Sequence, residues 1–399
     1  MKTRHVFMGI DVGTSAVKVV LVRLDGKIAS EASVEQAVVE PYPTWSEQDP
    51  ELLWQSTRTA IKKVISNCAQ LPYSTEVISI SVTGQMHTGV FLDQASNIIR
   101  PAILWNDSRT SSQCEEIIDA LGMDRLYHEI GNLALEGFTA PKILWLKQNE
   151  PDNYSQLRTI LMPKDYIRYR LTGELATDES DAAGTILYDV RKQEWSQPVL
   201  ESLDIASEIL PPVLKSTAVC GTMSEFIARD LRLPEQIPVI CGGADNAVGA
   251  VSSGVVVPGQ SQSSIGTSGT IFTPVIAPLV GTDMKLHMFS HCVPDMWYLM
   301  GTILSAGNSL KWLRNTFAPA ESYETLVGRA SNVNVGAEGL IFLPYLSGER
   351  TPHNNPNARG VFFGLNTSHS LAHLTRAVLE GVGFALKDSI ELIKVFGIS

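Results

Sequence analysis

The 399 residues predict an α/β fold built as two similar halves. The chain opens on a strand meander whose first turn is Asp11-Val12-Gly13-Thr14-Ser15. A turn of the same kind, Gly266-Thr267-Ser268, lies between two strand patterns beyond residue 260. Between them the apolar run Ile237 to Cys241 ends in Gly242-Gly243-Ala244-Asp245-Asn246, which reads as a buried strand, a tight turn and a helix start.

Val6 to Ile10, Ala16 to Leu24 and Lys27 to Val34 read as three strands, the last two joined by the hairpin signal Asp25-Gly26. Asp49 to Ala69 has a helical period, with Leu52, Leu53, Ile61, Val64 and Ile65 on one side and Asp49-Pro50 at its start. Glu76 to Val82 is a strand running into Thr83-Gly84-Gln85-Met86-His87, polar groups placed where a strand end presents them to a ligand. Ile103-Leu104-Trp105-Asn106-Asp107-Ser108-Arg109 repeats that pattern, and helices are expected over 111–121, 141–149 and 163–171. The acidic stretch Thr177 to Asp181 reads as a solvated loop. Small residues and a Pro-Gly turn over 252–259 mark a domain boundary, giving domains 1–252 and 253–399. Beyond it come the second hairpin, a strand over 297–304, a helix after Ser305-Ala306-Gly307-Asn308 and a long amphipathic helix over 370–393. The inward face of that last helix is read as Leu374, Val378, Leu379, Val382 and Leu386.

Composition excludes several classes. A net charge of −11 argues against nucleic acid as a partner. No apolar run approaches 18 residues, so no membrane span is expected. Five scattered cysteines without a C-x-x-C pair fit a reducing, cytoplasmic compartment. A negative field does not exclude a phosphate ligand, since local donors and a metal outweigh distant charge.

Gly-Thr-Ser turns in both halves, carboxylates at strand ends (Asp11, Asp245) and the polar set Gln85, Met86, His87 suit phosphoryl transfer to a polyhydroxylated ligand. A Walker A motif and the protein-kinase motifs are absent. Asp245 alone would read as a helix cap, Asp11 as a turn brace, and Asn106 to Arg109 as a salt-bridged corner nearly as readily as a sugar contact.

The chain resembles the FGGY carbohydrate kinases, of the actin, hexokinase and heat-shock ATPase superfamily. The resemblance rests on residues 9–15, 45–50, Gly84-Gln85-Met86-His87, 104–110, Gly243-Ala244-Asp245-Asn246-Ala247, Gly266-Thr267-Ser268-Gly269, 342–352 and 360–365, and it runs through essentially the whole chain. It implies an actin/hexokinase-like (ribonuclease H-like) pair of duplicated lobes with a cleft between them. It implies Asp245 as general base and Asp11 at the metal and phosphates, with Met86, His87 and Asn246 on the sugar and Gln85, Trp105 and Asp107 nearby. ATP would meet Thr14, Ser15 and Lys18 from one lobe and Thr267, Gly307 and Lys311 from the other, with Mg²⁺ as the ion. The Gln-Met-His form of its segment implies D-xylulose as the sugar; another ketopentose, a polyol or gluconate stays open, and so does a homodimer. Family members continue past Ser399, so the resemblance also implies a truncated chain with an incomplete second lobe, with a catalytically silent sugar-binding fragment as the alternative to a working kinase.

Overall fold

The computed structural model describes residues 3–69, 71–279 and 285–398. Two compact units form: residues 1–252 with 289–296, and residues 253–288 with 297–399.

The first unit is organised by a six-stranded sheet. Its strands are β1 (Thr3–Val12), β2 (Ala16–Arg23), β3 (Ile28–Glu35), β4 (Ser74–Gly84), β5 (Val219–Thr222) and β6 (Pro238–Ala244), in the spatial order β5-β6-β4-β1-β2-β3. Strict alternation buries Val6, Met8, Ile10 and Val12 of β1 and Val17, Val19 and Leu21 of β2 on one face. Helix α1 (Pro50–Cys68) covers that face. It starts on Asp49, whose carboxylate accepts from the Glu51 N–H, and Pro50 fills its first turn. Leu53, Trp54, Ala60, Ile61 and Val64 form its buried stripe, while Leu52, read from the period as inward, is 47% exposed. The helical angle places Leu52 one step off the stripe.

Strands β1, β4 and β6 are parallel, and this positions the chemistry. Asp11 pairs in register with Thr83, and Ala244 with Gly84, so all three strands end at the same edge of the sheet. That edge therefore gathers the 13–15 turn, the 85–88 loop and Asp245. The register of β6 slips between Ile240 and Gly243, at Gly242, which has φ of +79°. A side chain there would lie 1.8 Å from the Val82 carbonyl oxygen, so the step into the Asp245 turn requires glycine.

The longer of the remaining helices of this unit are α2 (Ser111–Arg125), α3 (Thr139–Asn149), α4 (Pro163–Thr172), α5 (Glu225–Leu231) and α6 (Asp245–Ser252). The second unit has a sheet of β7 (Gln262–Ile265), β8 (Gly269–Val275), β9 (His287–Ser290) and β10 (Trp297–Ile303) in the order β7-β8-β10-β9. Helices α7 (Gly307–Phe317) and α8 (Tyr323–Ala330), the hairpin β11 (Ile341–Leu343) and β12 (Val361–Phe363), and α9 (Leu371–Lys394) complete it. Leu313, Leu340, Phe342, Ala377 and Val378 are its packed centre. Leu379, expected inward, is 37% exposed because the buried stripe of α9 runs through Ala377, Val378, Gly381 and Val382.

Candidate active site

Asp245 begins α6, and its own Oδ1 accepts from the Asn246 N–H at 2.8 Å. Asp245 is exposed as a residue, yet the protein around its carboxyl desolvates that group enough to push its pKa up to about 7, the nearby Asp11 charge adding to the rise. Burial likewise raises Asp11, with Lys18, its register partner on β2, opposing. Two neighbouring carboxyls, each raised by burial, suit a site where one takes a proton and the other faces a cation.

The 85–88 loop stands beside them. Asn246 Nδ2 donates to Met86 Sδ at 3.7 Å, joining the two segments. His87 Nδ1 lies 2.7 Å from the Gly184 carbonyl. A carbonyl only accepts, so Nδ1 carries the proton and Nε2 is the acceptor nitrogen. The ring packs against Phe138, with centroids 4.4 Å apart. A Cβ on Gly184 would fall 2.9 Å from His87 Nδ1 and 3.1 Å from Met86 Cε. Gly184→Ala is therefore expected to displace both side chains and to weaken binding of the sugar that the resemblance implies at least tenfold while nucleotide binding holds; separate calorimetric titrations of the two ligands check this.

Other candidates are assigned differently by the structure. Gln85 is 2% exposed: its Oε1 accepts from the Thr14 and Thr88 hydroxyls, and its Nε2 donates to Gln48 Oε1 at 3.0 Å. It braces the loop and is not placed to touch a sugar. The Thr14 hydroxyl is committed too, donating to Gln85 and accepting from the Trp105 indole N–H at 3.0 Å. The Gly13 N–H donates to the Ala16 carbonyl, so what the turn offers a phosphate is the backbone of Thr14 and Ser15, the exposed Ser15 side chain and the exposed Lys18. Trp105 is 46% exposed and keeps a face open. Asp107 is 1% exposed and bonded to Arg109 Nε (2.9 Å), Arg109 Nη2 (2.6 Å) and the Ser46 N–H (2.6 Å). Arg109 also meets Glu47 at 2.8 Å and lies 3.7 Å over the Trp45 ring. Asp107 thus belongs to the salt-bridged corner, and its expected sugar contact is corrected on that ground.

Thr177 to Asp181, read as a solvated loop, is buried: Asp178 and Asp181 are 0% exposed and Glu179 2%. Lys164 Nζ meets Asp165, Asp178 and Asp181 at 2.5, 2.8 and 3.1 Å. Ser180 Oγ donates to Asp178 Oδ2 and accepts from the Ala244 N–H at 2.9 Å. Arg168 holds the Cys241 carbonyl at 2.8 Å, and the Thr83 hydroxyl holds the Gly243 carbonyl at 2.7 Å. The strand end that carries Asp245 is bonded on both sides. The sequence signal for this was available in Lys164 and Arg168, cations on the first turns of a helix otherwise lined by core residues.

In the second unit, the turn at 266–268 sits on the start of α7. Gly307 N donates to Gly266 O at 2.9 Å, and Ala306 N and Asn308 N to Thr267 O at 2.9 and 3.1 Å. The Gly307 N–H is thus used within the fold and is not available to a phosphate. Thr267 and Lys311 are exposed near the same helix start.

The description "FGGY family of carbohydrate kinases, N-terminal domain" matches residues 6–252, and its C-terminal counterpart matches 262–395. The second match spans most of the second unit, so it does not support the expected incomplete second lobe or truncated chain. The xylulose kinase of Escherichia coli (strain K12) is 41% identical over 392 residues, which covers 98% of this chain and 79% of that protein. Among solved structures, a ligand-bound xylulose kinase from Lactobacillus acidophilus superposes with a TM-score of 0.92 at 28% identity, covering 98% of this chain and 78% of that one. A gluconate kinase from the same organism superposes with a TM-score of 0.91, also at 28% identity and with the same coverage.

Proposed function

We propose, for a chain that belongs to the FGGY family of carbohydrate kinases, that its reaction is transfer of the ATP γ-phosphoryl group to a hydroxyl of D-xylulose, giving D-xylulose 5-phosphate. The observation that carries the reading is the meeting of the Met86-His87 loop with Asp245-Asn246 at one sheet edge. The 41% identity to the Escherichia coli xylulose kinase favours this sugar over gluconate, since the two solved kinases superpose on this chain equally well.

In this reading Asp245 takes the proton from the attacking hydroxyl. Its raised pKa makes it a better proton acceptor than an ordinary carboxylate, while it remains largely ionised just above neutrality. Met86, His87 Nε2, Asn246 and the open face of Trp105 hold the sugar, His87 accepting from a sugar hydroxyl. Ser15, Lys18 and the backbone of Thr14 and Ser15 meet the phosphates, and Thr267 and Lys311 serve the nucleotide.

The residues present fit a magnesium ion. Mg²⁺ keeps most of its waters and needs only one or two carboxylates, and Asp11 supplies one, with Lys18 beside it. Bound there, the ion would neutralise charge on the transferring phosphates. No described helix is long and apolar enough to cross a membrane; ATP as donor suits a cytoplasmic setting.

Release of ADP in a coupled assay with D-xylulose, gluconate, glycerol and L-ribulose tests the substrate. D-xylulose is expected to give the largest kcat/KM, by at least tenfold, with ³¹P NMR showing a primary phosphate ester. A larger value for gluconate would replace the sugar in this reading.

A further inference from the structure

Lys142 is fully buried in the first turn of α3, and among the described residues no carboxylate lies within ion-pair distance of it. Its ammonium donates instead to two carbonyls, His87 O and Gly137 O, each at 2.8 Å. Lys164, buried to the same extent, sits among three carboxyls. An ammonium removed from water without a counter-charge is costly, and a methionine would fill the same space without that cost. What the charge holds explains its presence.

His87 has φ of +67°, a region that non-glycine residues seldom occupy. Its carbonyl takes a second bond, from the Thr139 hydroxyl at 3.1 Å, also from the start of α3. Its imidazole is fixed separately, by Gly184 O and the Phe138 ring. The other carbonyl on Lys142 belongs to Gly137, which packs against the Trp105 carbonyl. One ammonium therefore ties the His87 carbonyl to Gly137, the residue that packs on the Trp105 backbone.

We propose that Lys142 is a positioning residue for sugar recognition, its ammonium clamping the His87 and Gly137 carbonyls so that His87 keeps its left-handed backbone and its imidazole stays aligned to the sugar. This rests on the sugar-kinase reading above. Burial brings the Lys142 pKa down to about 7; the Asp107 charge opposes the fall, Arg109 adds to it, and Cys114 of α2 opposes it. The amine is charged below that pH, and the clamp weakens as pH rises through it.

The test is calorimetric titration of D-xylulose, without ATP, between pH 6 and 9. The Asp245→Asn protein is used, so that the Asp245 carboxyl does not titrate alongside; protonation of the His87 imidazole would weaken binding toward low pH, opposite to the change expected from Lys142. The sugar Kd is expected to rise severalfold from pH 6.5 to 8.5 while the ADP Kd stays flat. Lys142→Met should raise the sugar Kd at least tenfold and flatten its pH dependence, with Lys142→Gln, which keeps an N–H donor, recovering part of the loss. Thr139→Val, a milder change, should raise the same constant severalfold, and it keeps the test open if the lysine variants do not fold. Parallel changes in sugar and ADP affinity, or a sugar Kd unmoved in Thr139→Val and Lys142→Gln, would overturn the clamp. The ¹⁵N imidazole signals of His87, assigned with His87→Gln, provide a readout that needs no sugar: they should show the Nδ1–H tautomer and shift in Thr139→Val. If the signals respond but D-xylulose does not bind, the substrate reading fails and the clamp stands; if they do not move, the clamp fails for any sugar.

Discussion

Replacing Asp245 by asparagine is expected to lower kcat by roughly 10²–10⁴-fold, the usual worth of a positioned general base, while D-xylulose binding is nearly unchanged. The amide keeps the size of the carboxylate and can still accept from the Asn246 N–H, so α6 keeps its start. In the parent protein, kcat/KM should fall as pH drops below about 7, because the base must be ionised and its carboxyl is pushed up to about 7 by desolvation and by Asp11. The same shift makes a second, opposite prediction for stability. A carboxyl whose folded pKa lies above its unfolded value binds a proton in the native state that the unfolded chain has released. Between about pH 4 and 7 the native state thus loses ground as pH rises, and the full penalty is present above 7. The asparagine variant lacks this penalty, so its melting temperature should equal or exceed the parent's at pH 8, with the difference shrinking toward pH 4. Melting curves at pH 5 and 8, beside rate profiles, check both. A variant that keeps its activity would remove Asp245 as the base, and one that melts below the parent at pH 8 would remove the desolvated carboxylate.

The parts of the site legible in the sequence share one property: they lie at strand ends. Asp11, Met86, His87 and Asp245 each close an apolar run, and parallel pairing of β1, β4 and β6 brings such positions to one edge without any long-range information beyond the strand pattern. Illegible positions depend on which polar group finds which partner. Gln85 and Met86 are neighbours in the same loop, yet Gln85 turns into the fold toward Gln48 and Thr14, which are 37 and 71 residues away. Asp107 looks like any carboxylate near a strand end until Arg109 and the Ser46 N–H occupy both its oxygens. For the Thr177 to Asp181 stretch composition is the only local signal, and a run of polar residues suggests a surface. Two buried cations on α4 reverse that reading, and a helical period cannot show where the far face of a helix will pack.

Asp178→Asn is the change expected to cost the first unit most. Burial alone would raise this carboxyl, but Lys164 at 2.8 Å and the Ser180 and Ser216 hydroxyls outweigh it and hold the pKa below the ordinary value. Asp181, equally buried and beside two other carboxyls, is driven well upward by burial despite Lys164. Lys164 and Arg168 face Asp165 and Asp178 within this set. Removing one charge from such a set leaves a buried cation uncompensated, at a cost of about 3–5 kcal/mol. The loss is directional. Asp178 orients Ser180, Ser180 accepts from the Ala244 N–H, and Ala244 precedes Asp245. Loosening should therefore appear first as faster hydrogen exchange in β6, and kcat should fall before the sheet as a whole unfolds. Lys164→Met should be destabilising to a similar degree, and the double variant less so than the sum, since both single changes break one network. Because the folded pKa of Asp178 is depressed, its stabilising effect is present above about pH 4 and disappears as pH falls through the folded value. The penalty of the asparagine variant should shrink in strong acid. A stability loss under about 1 kcal/mol, well short of the usual cost of breaking a buried pair, with β6 exchange unchanged would mean that the strand end is held by Arg168 and Thr83 alone.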